Sequence, residues 1–190
     1  MKKLLTLTLI LALALNLAAC GSKKVEETTV PTENIPASAL EILETTWGMY
    51  AEDEKFAIIG GDMNNPVNDA PGTYDLNNEN VTYSLLIPEE QLENVTEAAS
   101  MIHMMNANTF TCAVFRMADG VSAADFGKAM QEAIQNNRWM CGFPETLTIQ
   151  NLSDAYVLVA FGTNDNITVL MNHLTLAYPA SQNIVREAIA

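Results

Sequence analysis

The stretch Thr109-Phe110-Thr111-Cys112-Ala113-Val114-Phe115-Arg116-Met117 reads as a strand, with Phe110, Cys112 and Val114 alternating onto one face. Downstream of it, Ser122 and Asp125 stand at capping-box spacing, with Asp in place of the usual Glu. Phe126, Ala129, Met130, Ala133 and Ile134 then form the buried stripe of a helix. Residues 146–150 and 156–161 predict two more strands joined at Ser153-Asp154. Asn164 caps a last helix with core face Ile167, Leu170, Met171, Leu174 and Tyr178, and Pro179 ends it. Upstream, 81–87 predicts a strand that stops at Pro88. Pro88, Glu89 and Glu90 predict the start of a helix with its stripe at Leu92, Val95, Ala99 and Ile102. Residues 54–59 predict a strand, and 60–80, crowded with Gly, Pro, Asn and Asp, a long loop. Pro36 fits a first helical position ahead of Leu40, Leu43 and Trp47. The expectation is an α/β chain of the α+β type. A mixed β-sheet of about five strands, with helices packed on it, would form a single domain over residues 37–190.

The beginning of the chain carries a different kind of information. Lys2 and Lys3 precede an apolar run over 4–17, which is the layout of a secretory signal peptide. Thr6, Thr8 and Asn16 interrupt the run, and it falls short of the ~20 apolar residues a membrane span needs. Leu17-Ala18-Ala19-Cys20 follows and resembles the lipobox of bacterial lipoproteins. The resemblance implies that the Cys20 thiol takes a diacylglycerol, that residues 1–19 are cut away, and that Cys20 becomes the mature first residue. The alternatives are an uncleaved anchor, or an ordinary signal that happens to be followed by cysteine. Each buried methylene contributes about 0.8 kcal/mol, so the two chains of a diacylglyceryl group give stable attachment. The polar segment 20–36 lacks apolar periodicity and is expected to be a flexible tether. The expected location is the extracytoplasmic face of the cell membrane, with contact made through the lipid on Cys20.

The chain of 190 residues has a formal charge of −14. Loss of 1–19, with Lys2 and Lys3, would leave 171 residues and a charge near −16. Such a surface repels phosphate backbones and anionic headgroups, so nucleic acid is excluded as a partner. Apart from Cys20, the cysteines are Cys112 and Cys141. An exported location permits a disulfide, and parallel neighbouring strands would bring the two together. The simpler expectation is two buried free thiols acting as small hydrophobes.

The run Met104-Met105-Asn106-Ala107-Asn108-Thr109-Phe110 is followed by a strand, a helix, a hairpin ending Ala155-Tyr156-Val157-Leu158-Val159, and a closing helix. Over about residues 37–178 this order is similar to a family of small lipoproteins common in Gram-positive gut bacteria, whose domain has no assigned function. The resemblance implies a small α/β extracytoplasmic domain and supplies no functional residues. The chain departs from the family where a charged residue is expected after the Asn-rich turn and Thr109 or Phe110 stands instead.

Few residues suggest chemistry. His103 and His173 are far apart, each on a predicted helix, and form no metal spacing. His103, near a helix end, suits the helix dipole better than a metal, and a binding role for it is the sharper alternative. His173, one step off the core stripe, should face solvent. Asp75, Asn77 and Glu79 offer oxygens at alternate loop positions, with Asp62, Asn64, Asn68 and Asp69 nearby. An EF-hand needs glycine and glutamate where Asn80 and Leu86 stand, so turn chemistry is the expectation. No cofactor or metal is expected. Met101, Met104, Met105, Met130, Met140 and Met171 read as core filling, with a binding groove or a copper site as the alternatives. The segment Arg138-Trp139-Met140-Cys141-Gly142-Phe143-Pro144 is the better binding candidate, because it sets two large aromatics in one loop. Trp139 tucked over the sheet edge is the blander reading, and the bend at Gly142 and Pro144 suggests both rings on one side.

Taken together, these residues predict a membrane-anchored, extracytoplasmic, non-enzymatic binding module for an envelope protein or peptide. The alternative is a small-ligand-binding or hydrolytic envelope enzyme whose site is assembled from scattered residues such as His103, Asp62 and Cys112.

Overall fold

The computed structural model describes residues 36–105, 109–153 and 155–189. The expected signal segment, Cys20 and most of the expected tether lie outside the described residues.

Strand β5 (Phe110–Met117) lies inside an eight-stranded sheet, between β4 (Val95–His103) and β7 (Tyr156–Gly162). The order is β2-β1-β4-β5-β7-β6-β8, and every pairing is antiparallel. The α+β reading therefore holds, while the sheet is larger than five strands and is not mixed. Phe110, Cys112 and Val114 face one core layer, shared with α1 (Ala39–Gly48) and α4 (Asn164–Ala177). Ala113, Phe115 and Met117 face the other, where α3 (Ala123–Gln135) packs. The sheet is thus buried on both faces, and all seven residues of β7 are buried. Double burial produces the near-continuous apolar runs usual in parallel sheets. Short connections such as the one between β6 (Thr146–Asn151) and β7 make antiparallel pairs instead.

Double burial also explains where the predicted elements differ. The helix expected after Pro88 is a 3-10 turn at Glu89–Asn94 followed by β4. Ala98, Ala99, Ser100 and Met101 are buried in succession. A strand covered on both sides offers apolar positions at every step, so a 3.6-residue period can be picked out of it by chance. The strand expected over 81–87 is the short helix α2 (Val81–Ser84) and a turn with Leu86 at φ 54°. Val81, Leu85 and Ile87 pin it to the core. Ser38, not Pro36, stands next to α1: its hydroxyl accepts the Glu41 N–H, and the Glu41 carboxylate accepts the Ala37 N–H. Likewise Thr163 caps α4, with Asn164 its first residue. Strand β8 (Gln182–Ala188) pairs with β6 beyond the last expected element.

The expected strand over 54–59 and the expected loop over 60–80 merge into one construction. Strand β1 (Ile58–Gly60) pairs Ile58 with His103 and Gly60 with Met101, and β3 (Gly72–Tyr74) continues with Gly72 on Ser100 and Tyr74 on Ala98. The register runs on without a gap, so β1 and β3 are one strand from which residues 61–71 leave and return. The two ends meet so closely that a Cβ on Gly60 would lie 2.2 Å from the Gly72 nitrogen. Within the detour, β2 (Val67–Asn68) folds back onto β1.

Candidate functional site

At one end of the sheet β4 finishes at His103, β5 begins at Phe110, β7 finishes at Gly162 and β6 begins at Thr146. Adjacent strands lie about 4.8 Å apart, so these four ends span about 14 Å. Two connections leave from this edge with apolar side chains in solvent. Met104 and Met105 follow β4 and are 51% and 61% exposed; Met140 and Phe143 precede β6 and are 86% and 71% exposed.

The described residues of both connections are held by their backbones. The Met104 N–H donates to the Ala57 carbonyl at 3.0 Å, and the Met105 N–H donates to His103 Nδ1 at 2.9 Å. On the other side, Gly142 takes φ 83°, Pro144 is buried, and the Glu145 N–H donates to the Gly162 carbonyl at 2.8 Å. Trp139 is half-buried in the α3-side layer, its ring 5.4 Å from that of Phe161, and its Nε1 has no partner among the described residues. The two aromatics of this loop therefore part company: Trp139 is an inward anchor and Phe143 an outward one. Of the methionines, Met101, Met130 and Met171 do fill the core, whereas Met104, Met105 and Met140 do not.

His103 ends a strand and not a helix. Its ring stacks on Phe56 at 4.8 Å with 9° between the planes, and burial lowers its pKa. Its Nδ1 supports the Met105 turn. His173 is not solvent-facing: its side chain is 15% exposed, Nε2 lies 2.8 Å from Glu54 Oε2, and its ring packs 4.8 Å from Tyr50. The Ala51 N–H and then His173 hold the Glu54 carboxyl below its usual range. Cys112 is buried with a thiol pushed far up by desolvation, and Cys141 is exposed; both are free.

Asp62 is buried in the detour. Burial opposes its ionisation, but the N–H groups of Asn64, Asp75 and Asn65 hold its carboxyl below the usual range. The Asn78 side-chain amide donates to it as well, at 3.1 Å. Its oxygens are thus committed to the chain's own turns. His103, Asp62 and Cys112 each have separate surroundings, and no cluster of three His, Cys, Asp or Glu suited to a metal occurs among the described residues.

Glu145 and Asp165 are exposed beside the ends of β6 and β7, Arg138 is exposed in the 138–144 loop, and Glu145 Oε2 accepts the Asn164 N–H at 2.8 Å. The chain reaches the domain at the other end: the Tyr156 hydroxyl donates to the Ala37 carbonyl, and the Ala39 N–H donates to the Glu97 carboxylate. Only Phe143 and the methionine alternative were marked by residue type alone; that Met104, Met105 and Met140 share an edge follows from the strand order. No family model, curated protein or solved structure matches this chain.

Proposed function

We propose that the protein is a membrane-anchored, extracytoplasmic binding module, tethered by lipid on Cys20 and presenting Met104, Met105, Met140 and Phe143 to a protein or peptide of the envelope. The observation that carries this reading is the placement of those four side chains. They stand exposed on a rigid sheet edge, at the end opposite Pro36, where the tether joins. Binding residues borne by loops on a rigid scaffold are the usual arrangement for recognition.

The test is a photo-crosslinking residue placed at 143, or at the control position 176, in intact cells. Leu176 is 69% exposed near the end of α4, away from the apolar edge. A defined protein captured from position 143 and not from 176 supports the reading; no capture, or equal capture from both, sinks it.

A further inference from the structure

At the end of β4 a titratable ring is tied to a backbone N–H in a way that only one of its protonation states allows. We propose that His103 is a proton-operated latch: neutral, its Nδ1 fixes the Met105 backbone, and protonated, it lets that turn go. Its use in regulating recognition rests on the binding-module reading above; the latch itself does not.

The Met105 N–H donates to His103 Nδ1 at 2.9 Å. An acceptor there needs a free lone pair, so the neutral ring carries its single proton on Nε2. The ring is clasped from one side. Phe56 stacks on it at 4.8 Å with 9° between the planes, and Phe110 meets Phe56 edge-on at 5.2 Å. The residue between is tied separately, since the Met104 N–H donates to the Ala57 carbonyl at 3.0 Å. A proton added at Nδ1 would face the Met105 N–H, leaving two donors with no acceptor between them. The bond is then lost, and Met105 is freed while Met104 stays on Ala57. Acid thereby loosens one of the four side chains that the binding edge presents.

The elements packed near the ring present no charge to it. Phe56 covers it, Ile58 lies opposite on β1, and Phe110 stands beyond Phe56 at the start of β5. Residues 106–108 are Asn, Ala and Asn, so they bring no titratable group. The charged residues flanking Phe56 in the chain are engaged elsewhere, Glu54 with His173 and Lys55 with Glu52. Burial lowers the pKa of His103, and no charge among the described residues contributes. As pH falls, the unfolded chain would therefore take this proton first. The bond is complete above the ordinary value of 6.5 and is lost as pH drops through the lower folded value.

The experiment uses the full chain, isotope-labelled, in nanodiscs of zwitterionic lipid. NMR follows the ring nitrogens of His103 and the solvent exchange of the Met105 amide from about pH 8 to about pH 5, corrected for intrinsic exchange. At the upper limit Nδ1 should be bare. The His103 midpoint should fall below 6.5. Through that midpoint, protection of the Met105 amide should drop about fivefold or more, while that of Met104 holds. His103→Asn puts an amide oxygen, which cannot titrate, near the place of Nδ1 and should show no step at all. A proton found on Nδ1 at neutral pH, or Met105 protection indifferent to the titration, overturns the proposal. A midpoint at or above 6.5 does the same, because the Phe56 face would then be holding the cation. A step that persists in His103→Asn assigns the switch to another group and also overturns it. No partner enters these measurements, so the crosslink from position 143 judges the binding module separately.

Discussion

The Asp62 carboxylate accepts the N–H groups of Asn64, Asn65 and Asp75 and the Asn78 amide, so removing it strands four donors inside one turn system. Asp62→Ala should cost about 1–3 kcal/mol in urea unfolding, the usual range for buried groups left unpaired. Its pKa is lowered in the folded protein, so the unfolded state binds its proton first as pH falls. The contribution is complete above the ordinary value of 3.8 and is lost as pH drops through the lower folded value. The stability gap between wild type and Asp62→Ala should therefore shrink between pH 5 and pH 2; a gap that widened there would contradict the ionised hub. The two aromatics of the 138–144 loop separate just as cleanly. Trp139→Ala should cost about 3 kcal/mol, the low end for large aromatics because the ring is half-buried. Phe143→Ala should stay within about 0.5 kcal/mol. Thermal melts of the two variants read both. Residue type alone marked this loop but could not say which ring points inward, because that depends on Phe161 arriving beneath Trp139 from a strand paired elsewhere.

At the scale of elements, α3, α4, β5, β6 and β7 were legible because local chemistry marks them: Ser122 accepts from Asp125, Ser153 sits in the hairpin, and Pro179 follows α4. The region 81–103 was not, since α2 is fixed by its core contacts and β4 by burial on both faces. Strand β8 escaped notice because an edge strand needs little apolar pattern; only Ile184 and Val185 reach the core, packed near Gly127 and β6. A chain ending at Pro179 would bare β6 and its buried Leu147 and Ile149. It should lose cooperative melting or aggregate, and a sharp, monomeric transition would show that β8 is dispensable. Helix α1 offers the opposite kind of test. A Cβ at Gly48 meets nothing within 4 Å, and its φ is unexceptional. Gly48→Ala should raise stability by about 0.5–1 kcal/mol through helix propensity alone.

For the whole molecule, the α+β class was readable from composition and patterning, while the three-layer arrangement was not, because only pairing order reveals that both sheet faces are covered. The proposed lipid on Cys20 makes its own prediction: Cys20→Ala protein should leave the membrane fraction, and mass analysis of the native protein should find an acylated cysteine at its start. The splice at Gly60 and Gly72 bears on the margin of the sheet. Joining those two residues directly would give an uninterrupted six-residue strand against β4, with its register unchanged. What would vanish is the ribbon β2, which occupies the outward hydrogen-bonding groups of β1. An unguarded strand margin recruits other chains. The shortened protein should therefore keep its fold by circular dichroism yet form dimers or filaments in sedimentation. The detour would then be a chaperone the sheet carries for its own margin.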